Sequence, residues 1–259
     1  MMEIVVIKCG GSTVDELNEE FFKGIVAMQT AGKYPIIVHG GGPAINSMLE
    51  KLEVEIQFID GLRKTTPAVL EVAEMVLSGK VNKQIVQGLQ RAGGKGLGIS
   101  GCDGSLLQAV PVDLASLGLV GQINNVNVSL LHSLLNEGTI PVLSPIACTE
   151  EGDHLNVNAD AAASSVANYM KAQELVFVTD VDGVLKDGQL LEVLSAAQVQ
   201  ELIDDGTVYG GMIPKVKAAV DSLQGEIEKV VIAGGKAGSR KEDGTIKGTA
   251  IVKEATATL

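Results

Sequence analysis

The chain has 259 residues, a formal net charge of −12, and a composition that is 46% hydrophobic but only 3% aromatic, with no Trp. That length is ample for a sizeable core, which must be packed mainly with Val, Ile, Leu and Ala. So acidic a chain lacks the electrostatic footprint of a nucleic-acid or anionic-membrane binder, and any phosphate it holds must meet a few placed cations and backbone amides.

Strand-like and helix-like patterns alternate along the chain. Ile4, Val5, Val6 and Ile7 form an unbroken apolar run that ends in Lys8-Cys9-Gly10-Gly11, the pattern of a parallel strand buried on both faces. A helix is expected over roughly 15–31, then a strand in "YPIIVHGGG" and a helix beginning near Pro43. "VEIQFIDGLRKTT" reads as a hairpin, and a long helical region runs from Pro67 to Ala92. Further strands are expected in "GLGIS", "LLQAVPV" and "LVGQINNV", followed by a helix over 129–136 and the strand "TIPVLSP". A helix over 159–170 precedes the strand "ELVFVTD". After a turn at Asp187-Gly188 come helices near 195–204 and 212–223 and the strands "KVVIAGG" and "GTAIV". This alternation predicts an α/β fold with a mostly parallel central sheet and helices on both faces. A soft boundary near 171–174 would divide it into halves 1–173 and 174–259.

Cys9, Cys102 and Cys148 have neither metal-ligand nor CxxC spacing, and their odd number suits free thiols in a reducing cytosol. No basic leader precedes the first apolar run and no run reaches membrane-spanning length, so a soluble cytoplasmic protein is expected.

Ligands of open α/β sheets gather at the carboxyl ends of the strands. Here those ends carry Lys8-Cys-Gly-Gly, His39-Gly-Gly-Gly, Ser144-Pro, Thr179-Asp-Val-Asp-Gly and Ala233-Gly-Gly. A buried Lys8 ammonium is costly unless an anion meets it, whereas a snorkelling lysine would need none. "HGGGP" follows a strand and opens a helix, so its successive amides could face an anion at a helix N-terminus; a tight strand-to-helix turn would account for it equally. Ile45 stands where a dinucleotide fingerprint needs its third glycine, and no P-loop motif occurs. His39 itself reads as a core or turn histidine.

In "NVNAD", Asn158 can cap the following helix and Asp160 can sit in its first turn, or both can serve a ligand. "TDVDGVL" ends in an Asp-Gly turn whose carboxylates could equally meet ribose or Mg2+. Lys215 lies near a helix N-terminus, an unfavourable place for a cation unless an anion binds there. Arg63, one of three arginines, could clamp a carboxylate bidentately or make an exposed ion pair.

Together "IKCGGS", "IIVHGGGP", "GLRKTT", "SGKVNK", "GISGCDG", "IPVLSPIA", "LNVNADAAA", "TDVDGVL" and "GGMIPKVKAA" resemble the amino-acid kinase family, nearly end to end. "VHGGGP", "GLRKT" and "NVNAD" resemble most the branch that phosphorylates N-acetylglutamate. The resemblance implies a three-layer α/β/α sandwich, with residues 1–173 binding the acyl amino acid and 174–259 binding ATP. It implies that Lys8 and Lys215 neutralise the transferring phosphoryl group while Asp160 orients both. Gly10 and Gly11 would offer amides to the phosphoryl group, and Gly41 and Gly42 to the phosphoryl group and the acid. Arg63, Asn156 and Asn158 would hold N-acetyl-L-glutamate. Adenine and ribose would lie against Thr179, Asp180, Val181, Asp182, Gly183 and Val184 together with Thr207, Val208 and Tyr209. Mg2+ would arrive with ATP, held mainly by its phosphates, with no dedicated protein site.

A sister kinase using N-acetyl-aminoadipate, or more remotely aspartate, glutamate or UMP, would share the fold and the ATP half. A non-catalytic effector-binding protein should have lost a lysine or Asp160, and none is lost. The family also implies a homodimer joined through the N-terminal half. With the first strand beginning at Glu3 there is no room for the extra helix of arginine-inhibited hexamers, so insensitivity to arginine is expected.

Overall fold

The computed structural model describes residues 2–11, 14–223, 225–235 and 246–253. The stretch 236–245, to which the sequence assigns no site, lies outside the described residues. In chain order the strands are β1 (Glu3–Cys9), β2 (Lys33–His39), β3 (Phe58–Ile59), β4 (Leu62–Arg63), β5 (Gly96–Ser100), β6 (Leu107–Pro111), β7 (Val120–Val126) and β8 (Ile140–Ser144). They continue with β9 (Ile146–Cys148), β10 (His154–Val157), β11 (Glu174–Thr179), β12 (Leu185–Lys186), β13 (Gln189–Leu190), β14 (Val193–Ser195), β15 (Lys229–Gly234) and β16 (Thr249–Val252). The helices are α1 (Glu19–Thr30), α2 (Gly42–Lys51), α3 (Pro67–Glu74), α4 (Asn82–Arg91), α5 (Val128–Asn136), α6 (Ala159–Tyr169), α7 (Ala196–Asp204) and α8 (Met212–Ser222).

The main sheet has eight strands in the order β14-β16-β15-β11-β1-β2-β8-β5. From β15 to β5 every pairing is parallel; β16 runs antiparallel to β15, with β14 parallel to β16. Alternation along β1 makes the sheet a middle layer. Val6 and its neighbours Val38, Leu175 and Phe177 pack under Ala163, Val166 and Ala167 of α6 and Val216 of α8. Val5 and Ile7 turn the other way, with Ile37 and Val176, onto Phe22 and Ile25 of α1, Leu49 of α2 and Ile85 and Leu89 of α4. The expected boundary near 171–174 is sewn into this sheet: the Gln173 amide N–H donates to the Ile4 carbonyl at 3.1 Å, and Gln173 Oε1 accepts from the Ile4 N–H at 2.6 Å.

Three features differ from the sequence expectation. The first helix starts at Glu19 rather than near 15, because the Asn18 side chain accepts from the Phe21 N–H at 3.0 Å and caps it there. The long helical region from Pro67 is interrupted by a π-helical turn, Met75–Val81, before α4 ends at Arg91. The strands in "LLQAVPV" and "LVGQINNV" do not join the main sheet; β6 and β7 close a small barrel with β9 and β10. Period-two alternation marks a strand but not the sheet it joins, and "HLNV" is too short to announce β10 at all. Among the described residues no helix is long and apolar enough to cross a membrane.

The barrel is fastened to the loop after β4 through Thr65. Its N–H donates to the Leu117 carbonyl at 2.8 Å and its carbonyl accepts from the Leu119 N–H at 2.7 Å. Gly118, between them, has φ +68°, and a Cβ there would stand 2.4 Å from the Thr65 carbonyl oxygen. Gly118→Ala should therefore lower stability by about 2 kcal/mol or more, the sum of left-handed strain and a backbone clash. Gly138→Ala is the control: φ is +69° but nothing stands within 4 Å of the new methyl, so strain alone should cost about 1 kcal/mol. Urea midpoints at unchanged m values measure both, and equal losses would contradict the clash.

Candidate functional site

The central strand β1 delivers Lys8 to the carboxyl edge of the sheet, between β2 and β11. The Lys8 side chain is mostly buried, and its Nζ lies 2.8 Å from Asp160 Oδ1. Asp160 is in the first turn of α6, whose N-cap is Asn158: the Asn158 Oδ1 accepts from the N–H groups of Asp160 (2.9 Å) and Ala161 (3.1 Å). The capping alternative for "NVNAD" holds through the Asn158 amide oxygen, and Asp160 and Asn158 also line the cavity beside Lys8.

Two glycine-rich turns meet next to the lysine. A Cβ on Gly11 would stand 2.6 Å from the Gly42 nitrogen and 2.7 Å from the Gly41 nitrogen, so only glycine lets the β1 and β2 turns approach this closely. Gly41 is the N-cap of α2 and has no side-chain cap, which leaves backbone amides at a helix N-terminus facing the Gly10–Gly11 turn.

On the N-terminal side, a cavity of about 230 Å3 is lined by Gly41, Gly42, Arg63, Asn156 and Asn158, all expected from sequence. It also takes in residues the sequence did not single out, among them Phe58, Leu62, Leu77, Val120 and Pro145. Arg63 is 9% exposed. Its Nη2 donates to Asn46 Oδ1 at 2.6 Å and, at the longer distance of 3.4 Å, to the Gly42 carbonyl, while its guanidinium lies 4.7 Å from the Phe58 ring centroid. Nη1 is buried with no hydrogen-bond partner among the described residues. Burial works against the Arg63 charge and pushes its pKa below the ordinary value. A buried cationic donor left unpaired is costly, and an anion entering the cavity would relieve it. Asn156 Nδ2 donates to Thr65 Oγ1 at 3.1 Å, which ties β10 to the loop carrying Arg63.

Across Lys8 and Asp160 the cleft continues into the C-terminal half. A cavity of about 440 Å3 is bounded by Lys8, Gly10, Asp160, Thr179, Asp180 and Lys215. Beyond it lies one of about 620 Å3 lined by Asp180, Val181, Asp182, Gly183 and Val184 and by Thr207, Val208 and Tyr209. Tyr209 is 76% exposed, an aromatic face in contact with little of its own chain. The resemblance implies that Asp160 orients both lysines; here it meets Lys8, whereas Lys215 is paired with Asp180. That pairing also supplies the anion which a cation in the first turns of α8 requires.

His39 is fully buried, as a core histidine should be. Burial, with a smaller contribution from the Lys83 charge, holds its pKa down to about 4 against the raising effect of its bond to Gly40. Phe58 and Asn46 could have been suspected: one is an exposed aromatic in the hairpin that carries Arg63, the other is a polar residue one turn into the helix after "HGGGP". Leu77 could not, because it enters through the π-helical turn.

A parallel sheet whose strand ends carry an anion-ready lysine, two facing glycine turns and cavities on either side defines a phosphotransfer-type α/β protein. The model of the amino acid kinase family matches residues 3–234, and the chain belongs to that family. It is 53% identical over 254 residues to an acetylglutamate kinase of Halalkalibacterium halodurans, covering 98% of both chains. A solved Streptococcus mutans structure is similar with a TM-score of 0.83 and 33% identity, over 98% of this chain and 100% of that one. An N-acetylglutamate synthase from Neisseria gonorrhoeae, complexed with coenzyme A and N-acetyl-glutamate, gives a TM-score of 0.82 at 26% identity, over 98% of this chain and 60% of that one.

Asp160→Asn separates the two roles of this residue. The cap belongs to Asn158, so helix α6 should lose no more than about 1 kcal/mol of dipole stabilisation, with a further loss from leaving the mostly buried Lys8 ammonium without its anion. With Lys8 no longer held in register, phosphotransfer turnover should fall about 10²-fold. A stable variant with full turnover would return Asp160 to a structural role.

Proposed function

We infer that this protein is an acetylglutamate kinase, which transfers the γ-phosphoryl group of ATP to the side-chain carboxylate of N-acetyl-L-glutamate in arginine biosynthesis. The observation that carries the reading is the buried Nη1 of Arg63, without a hydrogen-bond partner among the described residues, in a small cavity that opens onto Lys8. A planar guanidinium held at one nitrogen and open at the other suits a carboxylate. Asn156 and the amide NH2 of Asn158 suit the rest of an acylated amino acid, and full-length similarity to acetylglutamate kinases supports the same substrate.

The acceptor carboxylate is already ionised at neutral pH, so no general base is required. One of its oxygens bonds to the γ-phosphorus as the bond from that phosphorus to the β-phosphate bridging oxygen breaks, and ADP leaves with that oxygen. Catalysis is then positioning and charge neutralisation. Lys8 meets the phosphoryl oxygens from the acid side. Lys215 exchanges Asp180 for them from the nucleotide side, and the amides of Gly10, Gly11, Gly41 and Gly42 complete the cradle. Residues 1–173 serve the acid and 174–259 the nucleotide, whose base and ribose lie along Thr179–Val184 and Thr207–Tyr209.

Mg2+ belongs to the nucleotide, carried on its phosphates. Among the described residues no three His, Cys, Asp or Glu side chains gather as a metal cage, and Asp160 and Asp180 are the carboxylates that line the phosphate cavity. The protein acts in the cytoplasm as a homodimer joined through its N-terminal half. In support, β5 ends the sheet with an outer edge that has no partner strand among the described residues, and Leu97 on it is 36% exposed.

A coupled ADP-release assay with ATP and a panel of acids tests the reading. N-acetyl-L-glutamate should be preferred over glutamate, aspartate and N-acetyl-aminoadipate, the last by a margin of about 10- to 200-fold, since it differs by one methylene. Preference for another acid, or turnover with none, would overturn it. Arg63→Lys keeps the charge but loses the fork, so the KM for the acid should rise while that for ATP hardly changes. An equal rise in both would remove Arg63 from the acid pocket.

A further inference from the structure

Beneath the glycine turn lies a buried polar chain that the phosphotransfer reading does not use. Asn82, 0% exposed at the start of α4, donates through Nδ2 to the Val142 carbonyl at 2.8 Å and at longer range to the Ile99 carbonyl at 3.4 Å. Its Oδ1 accepts from Lys83 Nζ at 3.0 Å. An ammonium can only donate and a carbonyl can only accept, so these partners fix the orientation of the amide. Of its two protons, one goes to Val142 and the other is shared between Ile99 and the nearer His39 Nε2, 3.2 Å away, which accepts it through a lone pair. The ring proton is then on Nδ1, 3.0 Å from the Gly40 carbonyl, which accepts it. Every group in the chain from Lys83 to Gly40 thus has one consistent donor–acceptor role.

This fixes the next peptide. No peptide bond among the described residues is cis, and in a trans peptide the carbonyl and the following N–H point in opposite directions. With its carbonyl drawn into the core by His39, the Gly40–Gly41 peptide turns the Gly41 N–H the other way. The Gly41 nitrogen is the one that would meet a Cβ of Gly11 at 2.7 Å, at the Lys8 end of the cavity. No acceptor for this N–H exists among the described residues. Leu77 and Val81, from the π-helical turn just before Asn82, close on Gly41 from behind, at 2.6 and 3.3 Å from where its Cβ would be.

We propose that His39, held by Asn82 as the neutral Nδ1–H tautomer, is a positioning residue that aims the Gly41 amide at the transferring phosphoryl group. It rests on the kinase reading for the identity of the anion, but not for the tautomer. The contact strengthens as charge develops on the phosphoryl oxygens, so its loss should lower kcat rather than raise either KM.

The first test uses the full-length wild-type protein, in which His39 is one of three histidines. Nitrogen-15 NMR of ring-labelled histidine should show His39 with Nδ1 protonated and Nε2 bare at neutral pH. The opposite tautomer or an imidazolium would overturn the proposal, whatever the substrate. The second test compares two variants. In His39→Asn the side-chain NH2 takes the place of Nδ1–H, whereas His39→Leu fills similar space with no donor. The Leu variant should lose roughly 10- to 100-fold in kcat, part of what deleting such a donor costs outright, at nearly constant KM for acid and ATP. The Asn variant should recover most of that loss. A Leu variant with wild-type kcat, or an Asn variant no better than Leu, would overturn the positioning role. Failure of the wild type to phosphorylate any acid would overturn the kinase reading instead, and should the variants not fold, the tautomer measurement decides alone.

Discussion

The ion pair between Lys8 and Asp160 is the constraint around which the rest is arranged. β1 has hydrogen-bonded neighbours on both edges and packed layers on both faces, so the only outlet for the Lys8 ammonium is the carboxyl end of the strand. That position lies between the strands of the N-terminal half and those of the C-terminal half. A cation fixed there needs an anion, and Asp160 supplies one at 2.8 Å with its own carboxylate still partly open to the cleft. Gly11 follows from the same placement: a side chain there would run into the Gly41 and Gly42 nitrogens, in the gap where a second anion could sit beside the lysine.

How much of this could be read from the sequence depends on the range of the interaction that decides it. The apolar run ending in Lys8, the glycines after β1 and β2, the Asn158 cap and the alternation of strands and helices are local signals, and each stands where it was expected. The partner of Lys215 was not legible, because Asp180 reaches it from a strand end 35 residues away along the chain, and several carboxylates could have served. The barrel was not legible either, since β6 and β7 carry the same pattern as strands of the main sheet. Nor was the π-helical turn: one extra residue in a helix leaves almost no mark on periodicity, yet it decides that Leu77 and Val81 rather than their neighbours face Gly41.

The cavity around Arg63 and the Lys8–Asp160 pair are joined by very little chain. Asn156 is in β10, Asn158 caps α6 and Asp160 is in the first turn of that helix. Polar groups that line the cavity beside Arg63 and the carboxylate that holds Lys8 therefore alternate within five residues. Arg63 and Asn156 are in turn tied together through Thr65, and Thr65 to the barrel. On the proposed reading, a substrate seated against the two asparagines would set the start of α6, and with it the carboxylate that steadies Lys8.

The sewn crossing at Gln173 has a thermodynamic consequence. A flexible linker would let one half melt while the other stayed folded. Here β1 has β2 on one edge and β11 on the other, and Gln173 returns two hydrogen bonds to Ile4, so melting either half strips an edge from the other's central strand. The chain should unfold as one cooperative unit in spite of the two functional halves proposed for it. Any ligand held by one half then protects both, so a nucleotide bound in the C-terminal half, as proposed, would delay the melting of the cavity around Arg63.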